Sequence, residues 1–121
     1  MHIFSFEKLD VWKEAIKLAV KTYKTTHLFP NDEKFGLTSQ MRRCSVSVSS
    51  NIAEGTARLT SKDKAHFMTL AYSSAIELLN QAIISKELDF ISNDEYLTIR
   101  EDIESITNKI NALRNHFLNS K

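Results

Sequence analysis

The sequence predicts an all-α protein, an antiparallel up-down-up-down four-helix bundle in one domain over residues 1–121, and three observations predict it. Two glycines and one proline are all the turn chemistry in 121 residues, too little for many short strands. Apolar residues instead recur three and four apart in four long segments, the period of an amphipathic helix. The breaks between those segments are a few residues long, which favours antiparallel neighbours. With 42% apolar residues, the chain has the length of one domain and can fill one core.

The first helix is expected from Glu7 to Leu28, with Leu9, Trp12, Ile16, Ala19 and Tyr23 on its buried side and Phe29-Pro30 ending it. The second should begin near Asn31 or Asp32, either a good N-cap. It contains "CSVSVSSNIAEG", where Ser45 to Val48 alternate like a strand. Alternation lasts only four residues, whereas Leu37, Met41, Cys44, Val48, Ile52 and Gly55 keep helical steps throughout, so the helical period should win. Thr60-Ser61-Lys62-Asp63 resembles a capping box with a shorter acid and opens a third helix that runs to about Leu88. Ser92-Asn93-Asp94-Glu95 is a cleaner box. Behind it Tyr96, Ile99, Ile103, Ile106, Ile110, Leu113 and Phe117 hold the heptad spacing of a bundle seam.

The third helix is apolar on two sides. Phe67, Ala71, Ser74 and Leu78 form one face; Met68, Tyr72, Ile76, Leu79 and Ile83 form another. One bundle covers one face, so the second set predicts a contact between copies and hence a homo-oligomer. On the second helix Gln40, Arg43, Ser47, Glu54 and Arg58 make a polar strip bordered by Asn51, with Gly55 and small neighbours allowing close approach. Buried polar groups need partners, so Arg43, Asn51, Glu54 and Glu77 of the third helix are expected to satisfy one another at an interface.

These residues resemble the 23S rRNA-intervening sequence protein family, whose relatives include accessory proteins of diversity-generating retroelements. The likeness rests on Phe6, Leu9, Val11, Trp12 and Ala15, and on Phe29, Pro30, Glu33, Gly36 and Leu37. It is densest in "QMRRCSVSVSSNIAEGTAR", through Gln40, Arg42, Arg43, Ser47, Asn51, Ile52, Ala53, Glu54, Gly55 and Arg58. Thr60, Asp63, Phe67, Ala71, Ser74 and Glu77 continue it. The sequence departs from the pattern at Cys44, Lys64, Ser73 and Asp89. The resemblance implies a homopentameric barrel of bundles, no enzymatic activity, and a link to RNA or to a reverse transcriptase as protein partner.

Catalytic and cofactor chemistry finds little support. A di-iron bundle needs two Glu-x-x-His pairs, and only Asp63-x-x-His66 comes near one. His2, His27, His66 and His116 lack ligand spacing, Cys44 falls on an apolar seam, and no glycine-rich phosphate loop is present. Glu54 and Glu77 read as members of an ion network with arginines before they read as an acid/base pair. No enzyme, cofactor or metal is expected. The N-terminus lacks a signal peptide's features and no apolar run spans a membrane, so a cytoplasmic protein is expected, with no membrane partner.

Net charge is +1, but residues 1–60 hold nine Lys/Arg against six Asp/Glu while residues 61–121 hold seven against nine. In the basic half Lys13, Lys17, Lys21 and Lys24 recur along one side of the first helix. With Arg42 they are the candidate contacts to RNA or DNA phosphates, multiplied if copies form a ring. No recognition helix and no exposed aromatic platform is foreseen, so binding should be indifferent to sequence. The alternative is a protein-interaction scaffold that never touches nucleic acid.

Overall fold

A computed structural model describes residues 1–120. Among them are four α-helices and no strand: α1 Asp10–Thr26, α2 Leu37–Ala57, α3 Ser61–Glu87 and α4 Asn93–Asn119, with short 3-10 turns at Ser5–Lys8 and Asn31–Glu33. α1 packs on α2 and α4, and α3 packs on α2 and α4, while the backbones of α1 and α3 stay apart. The two therefore stand diagonally across a four-helix bundle.

Local chemistry accounts for the boundaries. Thr60 caps α3 by accepting the Asp63 N–H at 3.1 Å. At α4 the box closes in both directions, Glu95 N–H to Ser92 Oγ and Ser92 N–H to Glu95 Oε1, each at 3.0 Å. α3 ends with the Phe90 N–H on Ser85 O and the Asp89 N–H on Lys86 O. This termination needs a left-handed residue, and Asp89 takes φ 63° where glycine would be cheaper. The start of α2 differs from expectation. Asn31 and Asp32 belong to a separate 3-10 turn, and the helix begins at Leu37, whose N–H is held by Glu33 Oε1 at 3.2 Å.

The core is one cluster fed by all four helices. Met41, Cys44, Val48, Ile52 and Gly55 of α2 are buried as the three-four spacing requires, as are Tyr96, Ile99, Ile103, Ile106 and Ile110 of α4. On α1 the buried line is Val11, Ala15, Leu18, Thr22 and Thr26, about one residue round from the expected one. Ile16 and Tyr23 are exposed, and Leu9 and Trp12 only half-buried. The threonines cause the rotation. Thr22 Oγ1 donates to Leu18 O at 2.8 Å and Thr26 Oγ1 to Thr22 O at 2.7 Å, so each satisfies its hydroxyl on its own helix and can bury its methyl.

α3 is corrected as well. Its buried column is Ala65, Met68, Ala71, Ala75, Leu78, Gln81, Ala82 and Ser85, running between the two expected faces. Met68 is fully buried within its own chain and has no surface left for a second copy. Tyr72 and Leu79 pack at the edge of the same core. Of the five expected oligomer contacts, only Ile76 at 42% and Ile83 at 37% exposure remain open. Alanines set this geometry: four in the column let α2 and α4 pack closely on α3.

Candidate nucleic-acid interface

The lysine side of α1 exists, but its members are not equivalent. Lys13, Lys17 and Lys24 are exposed. Lys21 is half-buried and paired with Asp102 of α4, so its charge is spent on the α1–α4 seam. Glu14 works beside it, bonded by Lys109 and, at 2.7 Å, by Ser105 Oγ. Burial alone would raise the Glu14 carboxyl, but the Lys109 and Ser105 bonds outweigh it and hold its pKa below the ordinary value. Ile16, Lys17, Val20, Lys21, Lys24 and Thr25 line a shallow groove of about 370 Å³, apolar along one edge and cationic along the other.

Arg42 also has work inside the chain. Its Nε donates to Thr26 Oγ1 at 2.9 Å, its Nη2 to Tyr23 O at 3.4 Å, and the guanidinium lies 4.6 Å from the Tyr23 ring centroid. It ties α2 to the last turn of α1, where the free carbonyls favour a cation.

The polar strip of α2 separates into parts. Asn51 Nδ2 donates to Ser47 O at 2.9 Å and Ser47 Oγ at 3.0 Å, and Ser47 Oγ meets Ser74 Oγ of α3 at 2.9 Å. Arg58 lies 3.9 Å from Asp63 and 5.2 Å from the Phe67 ring centroid. Gln40, Arg43 and Glu54 are exposed and make no side-chain hydrogen bond or ion pair among the described residues. The expected network of Arg43, Asn51, Glu54 and Glu77 therefore does not form within the chain. Gly55 does bring helices together, but the helices are α2 and α3 of one chain: a Cβ there would stand 2.5 Å from Met68 Cε and 2.9 Å from Phe67 Cβ.

Glu77 takes a different partner, the Cys44 thiol, which donates to Oε2 at 2.7 Å. Burial, followed by the Glu77 carboxylate, pushes the Cys44 pKa up to about 11, so the thiol stays protonated at neutral pH and is no nucleophile. Gln81 is a residue the spacing did not single out. Its Nε2 reaches Cys44 Sγ at 3.5 Å and its buried Oε1 has no partner. Among the described residues, no three His, Cys, Asp or Glu side chains converge as metal ligands, and no helix is long and apolar enough to cross a membrane.

One further departure is Phe35, 90% exposed beside Lys34. The expectation of no exposed aromatic platform fails there, because the turn before α2 holds this ring outside every packing face.

The family described as 23S rRNA-intervening sequence protein matches residues 7–112. A crystal structure of a protein with unknown function from the S23 ribosomal protein family of Bacteroides thetaiotaomicron is similar, with a TM-score of 0.78 at 20% identity. The likeness covers 86% of this chain and 97% of that one, and at such identity it speaks for the fold alone. No curated protein matches the chain.

Proposed function

We propose a function from one premise: the chain belongs to the 23S rRNA-intervening sequence protein family. It is a non-enzymatic accessory protein of the cytoplasm that binds RNA, or another nucleic acid, by its phosphates. One observation carries the reading. Lys13, Lys17 and Lys24 stand exposed along one side of α1, and none is in an ion pair among the described residues. Three uncommitted ammonium groups on one helix are a phosphate-binding edge when copies repeat it.

Repetition comes from assembly. The bundle, running up-down-up-down, associates as a homopentamer, the ring that the family resemblance implies. Ile76 and Ile83 of α3, with Ile16, Val20 and Tyr23 of α1, are the exposed apolar side chains such contacts would cover. Light scattering on the eluting protein is expected to return a multiple of 13.9 kDa; a single-chain mass at micromolar concentration overturns the assembly. A reverse transcriptase acting on the same RNA is the protein partner that the resemblance suggests.

The binding test uses two of the three exposed lysines that form no ion pair among the described residues. Lys17→Glu with Lys24→Glu should weaken binding in a mobility shift by about tenfold or more at low salt and flatten its salt dependence. Lys21→Glu is unsuited, because it would also break the Asp102 pair. Affinity unchanged by the double substitution, or insensitive to salt, overturns phosphate binding through α1. A partner complex that survives nuclease treatment would then favour the scaffold reading.

A further inference from the structure

The end of the bundle where α1 hands over to α2 gathers features that packing does not use. Phe35 leaves its ring almost wholly in water, forgoing the burial that such a side chain gains in a core. The turn carrying it is nevertheless held in place, Gly36 N–H on Glu33 O at 3.0 Å and Leu37 N–H on Glu33 Oε1 at 3.2 Å. Lys34 Nζ sits 5.6 Å from the Phe35 ring centroid, and Arg42 sits over Tyr23, itself 44% exposed. Two aromatic rings, each with its own cation, thus occupy one end of the molecule.

A cavity of about 260 Å³ lies there. His27, Asn31, Lys34, Thr38 and Arg42 line it with polar groups over an apolar floor that includes Phe29, and no carboxylate lines it. The nearest acids in sequence lie outside the lining: Glu33 is turned to the Leu37 N–H, and Asp32 stands exposed. Lys24, three residues before His27 on the last turn of α1, carries the cationic track from this cavity to Lys17 and Lys13.

We infer that this end of the bundle is a contact for single-stranded polynucleotide, with a base stacked on Phe35 and the adjoining phosphate in the cavity beside Lys34 and Thr38. The inference rests on the nucleic-acid reading above and deepens it from charge alone to strandedness. Base stacking on an aromatic ring needs an unpaired base, whereas lysines on phosphates accept either form. A duplex would meet only the α1 lysines.

Labelled oligouridylate and oligothymidylate of about 15 nucleotides, a length within the usual range for such sites, and a duplex of equal length separate the two claims. Phe35→Ala is expected to weaken single-strand binding by about tenfold, the loss of one stacked base, and to leave duplex binding unchanged. Phe35→Trp should retain it. Loss with only one of the two single strands shows which of the two the site holds and supports the inference. Single-strand affinity equal to the parent's overturns it while leaving phosphate binding by α1 intact. So does an equal loss on duplex and single strand accompanied by dissociation of the oligomer, which would make Phe35 a subunit contact. A parent protein that binds none of the three overturns the nucleic-acid reading itself.

Discussion

Gly55→Leu is expected to lower the stability of the folded chain by about 3 kcal/mol or more, at the upper end of what overpacking a close contact costs. Glycine inside a helix is unfavourable by about 1 kcal/mol relative to alanine, so its presence in the last turn of α2, at the seam with α3, needs a reason. The reason is space. The nearest atoms to a Cβ at this position are Met68 Cε at 2.5 Å and Phe67 Cβ at 2.9 Å, with Lys64 O at 3.4 Å. The methionine end could swing away, but Phe67 Cβ is tied to its backbone. Relief would therefore require α3 itself to move, and α3 also carries the column of alanines that seats it against α4. Denaturant titration followed by circular dichroism measures the effect; a midpoint matching the parent's would show that the two helices are not in contact there.

Met68→Ala should cost about 2–5 kcal/mol, the range for emptying a fully buried long side chain. Met68 is 0% exposed and belongs to the central cluster, so its loss leaves a cavity in the chain's own core. Ile83→Ala is the informative contrast. Ile83 keeps 37% of its surface open, so its truncation should change unfolding of the single chain by about 0.5–1 kcal/mol. If copies meet on this side, the same change raises the protein concentration at which the assembly falls apart. Equal effects of the two substitutions on chain unfolding would contradict the division between core and open face on α3.

Both expectations turn on how α3 is seated, which its own residues leave open. Its apolar positions fill so much of the circumference that two faces compete, and neighbours decide between them. α4 posed no such choice: seven apolar residues in strict heptads and a complete capping box admit one buried face. α2 was equally legible, because a three-four pattern held throughout the helix outweighs four alternating residues. The apolar pattern of α1 points about one position away from its buried line because threonine counts as polar in a pattern, although Thr22 and Thr26 hide their hydroxyls on their own helix.

The candidate site was legible as a set of cations and illegible as a set of available ones. Lys21 looked like Lys17 and Lys24 until Asp102, 81 residues further on, came to lie against it. Arg42 looked free until Thr26 and Tyr23 supplied its acceptors. Glu77 and Glu54 shared a role on the helical wheel, yet one is bonded to Cys44 and the other projects from α2 without a side-chain bond among the described residues.

Helix number, helix class, the caps of α3 and α4 and the buried seams of α2 and α4 were already present in residue order, because each depends on neighbours within a few positions. Which face of α1 and α3 turns inward, and which lysines keep their charge for a ligand, depended on the packed bundle. Those properties arise from residues distant in the chain, and only folding brings such residues within range of one another.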